Sequence, residues 1–116
     1  MSLKRILIVE DEILIAISLE AALSSGGFEP VGPYGQVEQA VTVAERESLD
    51  GAVLDVNLGG TKVFPVADAL AARNIPFLFL TGYSTGQLPP QYQDATVLSK
   101  PFQEQHIVAR IGSMVA

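Results

Sequence analysis

The sequence predicts an α/β fold in which a doubly wound parallel sheet carries helices on both faces. Three observations lead there. Short, continuously apolar runs alternate with longer segments of helical spacing along the chain. The runs lack the alternation of a half-solvated sheet, as expected of strands covered on both faces. Each run also ends in a polar or charged group, and in open α/β sheets ligands collect at the carboxyl ends of the strands.

Leu3–Val9 reads as the first strand, and Glu12–Ser25, rich in Ile, Leu and Ala, as a helix stopped by Gly26-Gly27. Phe28–Tyr34 is a short strand that Pro30 and Pro33 assign to a sheet edge. Val37–Glu47 carries Val37, Ala40, Val41 and Ala44 at helical spacing, and Gly51–Val56 is the next strand. Val63–Arg73 is helical, with Ala67, Leu70 and Ala71 on one side, and Ile75–Leu80 is a strand. Ala95–Leu98 is a last short strand, and Gln103–Val115 an amphipathic helix through Ile107, Val108, Ile111 and Met114. Five strands with intervening helices argue for one parallel sheet.

At 116 residues the chain is one domain, with no internal repeat, linker or low-complexity tract. Hydrophobic residues at 48% and charged residues at 17% give a soluble globular composition. The formal net charge of −6 argues against a nucleic-acid partner, because no basic stripe exists to neutralise phosphates. The absence of cysteine removes disulfides and thiolate zinc sites, and it fits a cytoplasmic location. No signal-peptide core and no membrane-spanning stretch is present.

The chemistry lies at the strand ends. Glu10-Asp11-Glu12 follow Ile6–Val9, Asp55 follows Gly51–Leu54, Thr81 follows Phe77–Leu80, and Lys100-Pro101 follow Val97-Leu98-Ser99. A carboxylate at the mouth of a buried strand is costly unless something pairs with it. Asp11, Asp55 and Glu10 are expected to converge, and close carboxylates call for a cation, for which Mg2+ with its oxygen ligands is the natural choice. Lys100 brings a compact positive charge suited to a phosphoryl oxygen or to Asp55 itself. Thr81 offers a hydroxyl able to donate to an oxyanion. A carboxylate can attack phosphorus to give an acyl phosphate, so the set reads as phosphoryl acceptance on Asp55.

From end to end the chain resembles a two-component response regulator receiver domain. Glu10-Asp11, Asp55, Thr81 and Lys100-Pro101-Phe102 match that family's acidic pair, phosphoacceptor, Ser/Thr position and Lys-Pro-Phe, in order and on the right elements. The resemblance implies a flavodoxin-like fold with five strands in the order 2-1-3-4-5. It implies Mg2+ held by Asp11, Asp55 and the backbone carbonyl of Asn57, with Glu10 acting through metal-bound water. It also implies contact of Lys100 with Asp55 or the phosphoryl group, a cis Lys100–Pro101 bond, and a sensor histidine kinase or phosphotransfer protein as donor. Residues 1–116 are then expected to be a receiver without an output domain. Such a chain would act as a switch, shuttle or phosphate sink toward a downstream protein. The chemistry is stoichiometric, so the chain is not an enzyme in the ordinary sense.

A narrower resemblance lies in Pro76-Phe77-Leu78-Phe79-Leu80-Thr81-Gly82-Tyr83. This segment is similar to the signature of the FAT GUY single-domain response regulators of alphaproteobacteria, with Leu80 for the usual Ala and Ser84 for a common Gly. Asn57-Leu58-Gly59-Gly60 fits the same group. Ser84–Pro90 breaks a helix, so the family's fourth helix is expected to be shortened or missing, with at most one turn around Gln91–Asp94. Val97 occupies the position of the family's switch aromatic, which argues against aromatic-coupled switching on the fifth strand. Tyr83, Gly82, Asn57 and Pro101 are the residues expected to tune the site or carry its response.

Two rival readings come from other classes. A haloacid-dehalogenase-type phosphatase also uses a strand-end Asp, a threonine and a lysine, but it needs Asp-x-Asp where this chain has Asn57. A pseudo-receiver that only binds partners is opposed by the intact acid, Asp, Thr and Lys set.

Overall fold

The computed structural model describes residues 3–82 and 88–116. The elements run β1 (Arg5–Val9), α1 (Ile13–Ser25), β2 (Glu29–Tyr34), α2 (Val37–Arg46), β3 (Gly51–Asp55), β4 (Asn57–Leu58), β5 (Thr61–Lys62), α3 (Phe64–Ala72), β6 (Phe77–Thr81), β7 (Val97–Ser99) and α4 (Glu104–Met114). Among the described residues between β6 and β7 lies one 3-10 turn, Pro90–Tyr92. The main sheet is β2-β1-β3-β6-β7, with all neighbouring strands parallel. This is the expected 2-1-3-4-5 order once the small antiparallel β4–β5 hairpin is set apart. The edge position of β2 agrees with its two prolines, which withhold ladder donors.

The continuous apolar strands are explained by two cores, one on each face. On one face Leu7, Val9, Ala52, Leu54 and Phe79 meet Ala40 and Ala44 of α2 and Val66, Ala67 and Leu70 of α3. On the other face Ile6, Ile8, Val53, Leu78 and Leu80 meet Leu19 and Leu23 of α1 and Ile107 and Ile111 of α4. Successive residues of one strand therefore enter different cores, the period of two that a pleated strand imposes.

The helix boundaries have local causes. α1 ends at Gly26, whose backbone N–H donates to Ala22 O, and Gly27 follows at φ +89°, a conformation that favours glycine. Pro65 sits in the first turn of α3, where its missing N–H costs nothing. α1 does not segregate its apolar side chains. Ala16, Leu19, Ala22 and Leu23 are buried, while Ile13, Leu14 and Ile17 face solvent.

Among the described residues the fourth helix of the expected layout is replaced by the Pro90–Tyr92 turn. Pro89 and Pro90 explain why no longer helix forms there. The segment still covers the sheet, because Leu88, Tyr92, Ala95 and Val97 pack against the core shared with α2 and α3. His106 is exposed on α4, as an isolated surface histidine would be.

Candidate functional site: an acidic cluster closed by a lysine

Strand register brings the site residues together. Val9 of β1 pairs with Leu54 of β3, so Glu10 and Asp55 emerge side by side at the carboxyl edge. Asp55 pairs with Leu80 of β6, placing Thr81 one residue beyond, and Thr81 pairs with Ser99 of β7. The backbone N–H of Lys100 donates to Thr81 O at 2.8 Å, which fixes the start of the β7–α4 connection over the end of β6. Four strand ends thus present Glu10, Asp55, Thr81 and Lys100 at one edge.

Glu10, Asp11 and Asp55 bring carboxylate oxygens within 4.8 Å of one another. Glu10 and Asp55 are only 2% and 4% exposed, so two acids share a space largely closed to water. The Lys100 ammonium answers both, at 3.0 Å from Glu10 Oε1 and 3.2 Å from Asp55 Oδ2. It also reaches the exposed Glu12 at 3.5 Å. Glu10 Oε2 accepts the Glu12 backbone N–H at 3.1 Å, and Asp55 Oδ1 accepts the Asn57 backbone N–H at 3.3 Å. Glu10 Oε1 is buried and accepts no aligned hydrogen bond, meeting Lys100 only as a charge.

Both Glu10 and Lys100 hold their protons more tightly here than the free side chains do. Burial first, then the neighbouring Asp55, pushes the Glu10 carboxyl up to about 7, against the lowering pull of Lys100 and the Glu12 backbone N–H. Burial alone would lower the Lys100 pKa, but Glu10 and Asp55 together hold it above the usual lysine value. Lys100 is therefore a fixed positive charge, while the Glu10 carboxyl lies near the point where it gains or loses its proton at neutral pH.

The backbone around Asp11 is open on two sides because glycines stand there. A Cβ on Gly35 would lie 3.4 Å from the Asp11 Cβ, and one on Gly59 would lie 3.4 Å from Asp11 Oδ2. Gly59 and Gly60 have φ of +56° and +94° and make the turn of the β4–β5 hairpin. Asn57 Oδ1 accepts the Gly60 N–H at 3.0 Å, so that side chain braces the hairpin. A three-carboxylate set with a buried oxygen that lacks an aligned hydrogen bond, and with a glycine-lined approach, fits a hard divalent cation.

The sequence-predicted residues Glu10, Asp11, Asp55, Thr81 and Lys100 are brought to one edge. Gly82 follows Thr81 into open space and lines a groove with Glu12, Ile15, Lys100, Pro101 and Phe102. The Lys100–Pro101 peptide is cis, as expected, and so is Gly32–Pro33. Tyr83, expected to tune or switch the site, lies outside the described residues. Two features escaped the sequence reading. Gly35 gains its place only from the approach of β2 to β1, and the Glu12–Lys100 ion pair needs α1 and the β7–α4 connection in contact. Neither spans a distance that a one-dimensional motif encodes.

A flavodoxin-like sheet with an acidic pair, a strand-end Asp, a strand-end Thr and a lysine followed by cis-Pro defines the receiver class of signalling proteins. Residues 6–112 match the response regulator receiver domain family, and the chain belongs to that family, which is part of two-component signalling. The family is generally one of phosphoacceptors and not of classical enzymes. SdrG from Sphingomonas melonis Fr1 is 45% identical with a TM-score of 0.86, and each chain covers the whole of the other. PdtaR, a transcriptional regulatory protein of Mycobacterium tuberculosis, is 32% identical over 97% of this chain. The match spans 57% of PdtaR, so the chain covers about half the length of that relative. The receiver domain of the sensor histidine kinase PA1611 from Pseudomonas aeruginosa PAO1 is 22% identical with a TM-score of 0.82, a likeness of fold. Its structure carries a magnesium ion coordinated in the active-site cleft. Among the described residues no helix is long and apolar enough to cross a membrane.

Proposed function

We propose that this chain accepts a phosphoryl group on Asp55 from the phosphohistidine of a sensor histidine kinase or a phosphotransfer protein, and so acts as a switch, shuttle or phosphate sink. The observation that carries the reading is the Lys100 ammonium held between Glu10 and Asp55. A structural ion pair needs one acid, whereas this lysine stands in a crowd of carboxylates at the carboxyl edge of the sheet.

The Asp55 carboxylate oxygen attacks phosphorus. A P–O bond forms as the P–N bond breaks, and its electron pair returns to the imidazole nitrogen of the donor. Lys100, already 3.2 Å from Asp55 Oδ2, follows the arriving charge and pairs with a phosphoryl oxygen. Thr81 donates its hydroxyl to another, and the Asn57 backbone N–H orients the carboxylate through Asp55 Oδ1. Asp11, Asp55 and the Asn57 backbone carbonyl would hold Mg2+ directly, with Glu10 placed to bind its water. Bound there, Mg2+ supplies charge neutralisation for the carboxylates and the phosphoryl oxygens.

The donor must approach over the carboxyl edge, where Ile13 and Ile17 of α1 border a cleft that also includes Glu10, Asp11 and Pro33. These side chains, with Leu14 at 81% exposure, give the donor an apolar surface beside the reacting acid. The likeness to SdrG supports action as a receiver. Intact-mass measurement with a small phosphodonor and Mg2+ tests the reading. Wild type gains one phosphoryl group and Asp55→Ala gains none; equal labelling of both would remove Asp55 from its role.

A further inference from the structure

Glu12 is the one acid of the run Glu10-Asp11-Glu12 with no part in the converging carboxylates. An acid just before a helix most simply serves as a cap, meeting the free N–H groups of the first turn. Glu12 occupies that position ahead of α1, yet its side chain makes no cap hydrogen bond. It turns instead to Lys100, with Oε1 3.5 Å from the ammonium.

Both side chains start from anchored backbone. The Glu12 N–H donates to Glu10 Oε2 at 3.1 Å, and the Glu12 carbonyl accepts the Ala16 N–H at 2.9 Å. The Lys100 N–H is held by Thr81 O at 2.8 Å. The two side chains meet in the groove that Ile15, Gly82, Pro101 and Phe102 also line. The Glu12 side chain is 63% exposed, so the pair contributes little to stability. What it can supply is position.

An ammonium has three N–H donors, and among the described residues Lys100 pairs with three carboxylates, those of Glu10, Asp55 and Glu12. Glu10 and Asp55 stand in the set that fits a divalent cation, and a cation bound there draws their oxygens away from the lysine. Glu12 lies outside that set. It is therefore the anchor that the cation leaves to Lys100.

We propose that Glu12 is a positioning residue for Lys100: it keeps the ammonium at the site while a divalent cation occupies Glu10 and Asp55, so that the charge is in place when a phosphoryl group arrives. The inference rests on phosphoryl acceptance at Asp55. Mg2+ and an ammonium repel each other, and the repulsion is strong where water is largely shut out. Without Glu12 the bound cation drives the Lys100 head toward solvent, and the lysine must return for each transfer.

The test uses the full chain with isotope-labelled lysine, in wild type, Glu12→Gln and Glu104→Gln, with and without Mg2+. Glu104 lines the same groove but, among the described residues, makes no ion pair with Lys100, so its variant reports the loss of a charge alone. Glu12→Gln keeps the size of an exposed side chain, and its urea midpoint is expected to match wild type. Without Mg2+ all three proteins show a protected Lys100 ammonium signal in NMR. With Mg2+ the signal persists in wild type and Glu104→Gln and is lost to exchange with water in Glu12→Gln. Labelling of Asp55 by a small phosphodonor with Mg2+ slows roughly threefold in Glu12→Gln, the scale of one exposed ion pair, and does not slow in Glu104→Gln. The same Mg2+ response of the Lys100 signal in all three proteins, or labelling of Glu12→Gln as fast as Glu104→Gln, would overturn the inference and leave the phosphoacceptor reading standing. No labelling of wild type at Asp55 would overturn both.

Discussion

The Lys100 ammonium lies 3.2 Å from Asp55 Oδ2 although β6 separates their strands in the sheet. The side chain crosses the end of β6 and also meets Glu10 Oε1 at 3.0 Å, so one cation joins the ends of β1, β3 and β7. Its burial, and that of the two acids, makes this contact the electrostatic centre of the edge.

Removing that cation leaves two adjacent buried carboxylates without a partner. Lys100→Met is expected to destabilise the metal-free protein by about 2 kcal/mol, below the cost of breaking a fully enclosed pair because the Lys100 side chain is 11% exposed. Added Mg2+ is expected to stabilise the variant more than wild type, since binding to the native state alone raises its stability. Urea unfolding with and without Mg2+ measures both effects.

Metal-free stability also depends on Glu10. Burial and the neighbouring Asp55 raise its pKa from the ordinary 4.5 to about 7, so the native state binds the proton more tightly than the unfolded chain. The stabilising contribution is complete below about 4.5 and is lost as pH rises through about 7. Urea midpoints in a metal chelator are expected to fall across that window, and Glu10→Gln is expected to flatten the dependence. Mg2+ affinity should move the opposite way, rising as the proton leaves.

Gly59 is expected to be intolerant of a side chain. Its φ of +56° strains any L residue, and a Cβ would stand 3.4 Å from Asp11 Oδ2. Gly59→Ala should cost about 1 kcal/mol of stability. It should also weaken Mg2+ binding by displacing Asp11, whereas Gly60→Ala, with no atom within 4 Å of the added carbon, should show the strain alone. Thermal unfolding and a Mg2+ titration of the two variants separate these outcomes.

The exposed face of α1 is expected to matter for the protein donor and not for the chemistry. Leu14→Lys should slow transfer from a phosphohistidine protein roughly tenfold, the loss of about 1.4 kcal/mol of apolar contact. Its labelling by a small phosphodonor should equal that of wild type. Parallel time courses with the two donors check this.

Much of this architecture is legible in the residues. Both faces of the sheet are covered, so Ile6–Val9, Ala52–Leu54 and Leu78–Leu80 read as unbroken apolar runs, and the polar residue after each marks the functional edge. Pro30 and Pro33 mark the edge strand, and Pro89-Pro90 the short turn that stands, among the described residues, in place of a fourth helix. Other features depend on distances the chain does not encode locally. The Gly59-Gly60 turn is visible in sequence, but the β4–β5 pairing it closes depends on two-residue strands with no pattern of their own. α1 is apolar nearly all round, so its composition hides which side meets α4 and which leaves Ile13, Leu14 and Ile17 exposed. Tyr92 looks like an ordinary loop residue until α3 brings Asp68 and Phe64 to it.

The most direct measurement of the central claim locates the phosphoryl group itself. Borohydride reduces an acyl phosphate at an aspartate to the corresponding alcohol, homoserine, and peptide mass mapping then reports the position. After treatment with a small phosphodonor and Mg2+, homoserine is expected at position 55 and at no other aspartate. Homoserine at position 11 instead, or none at all in a labelled protein, would contradict the account.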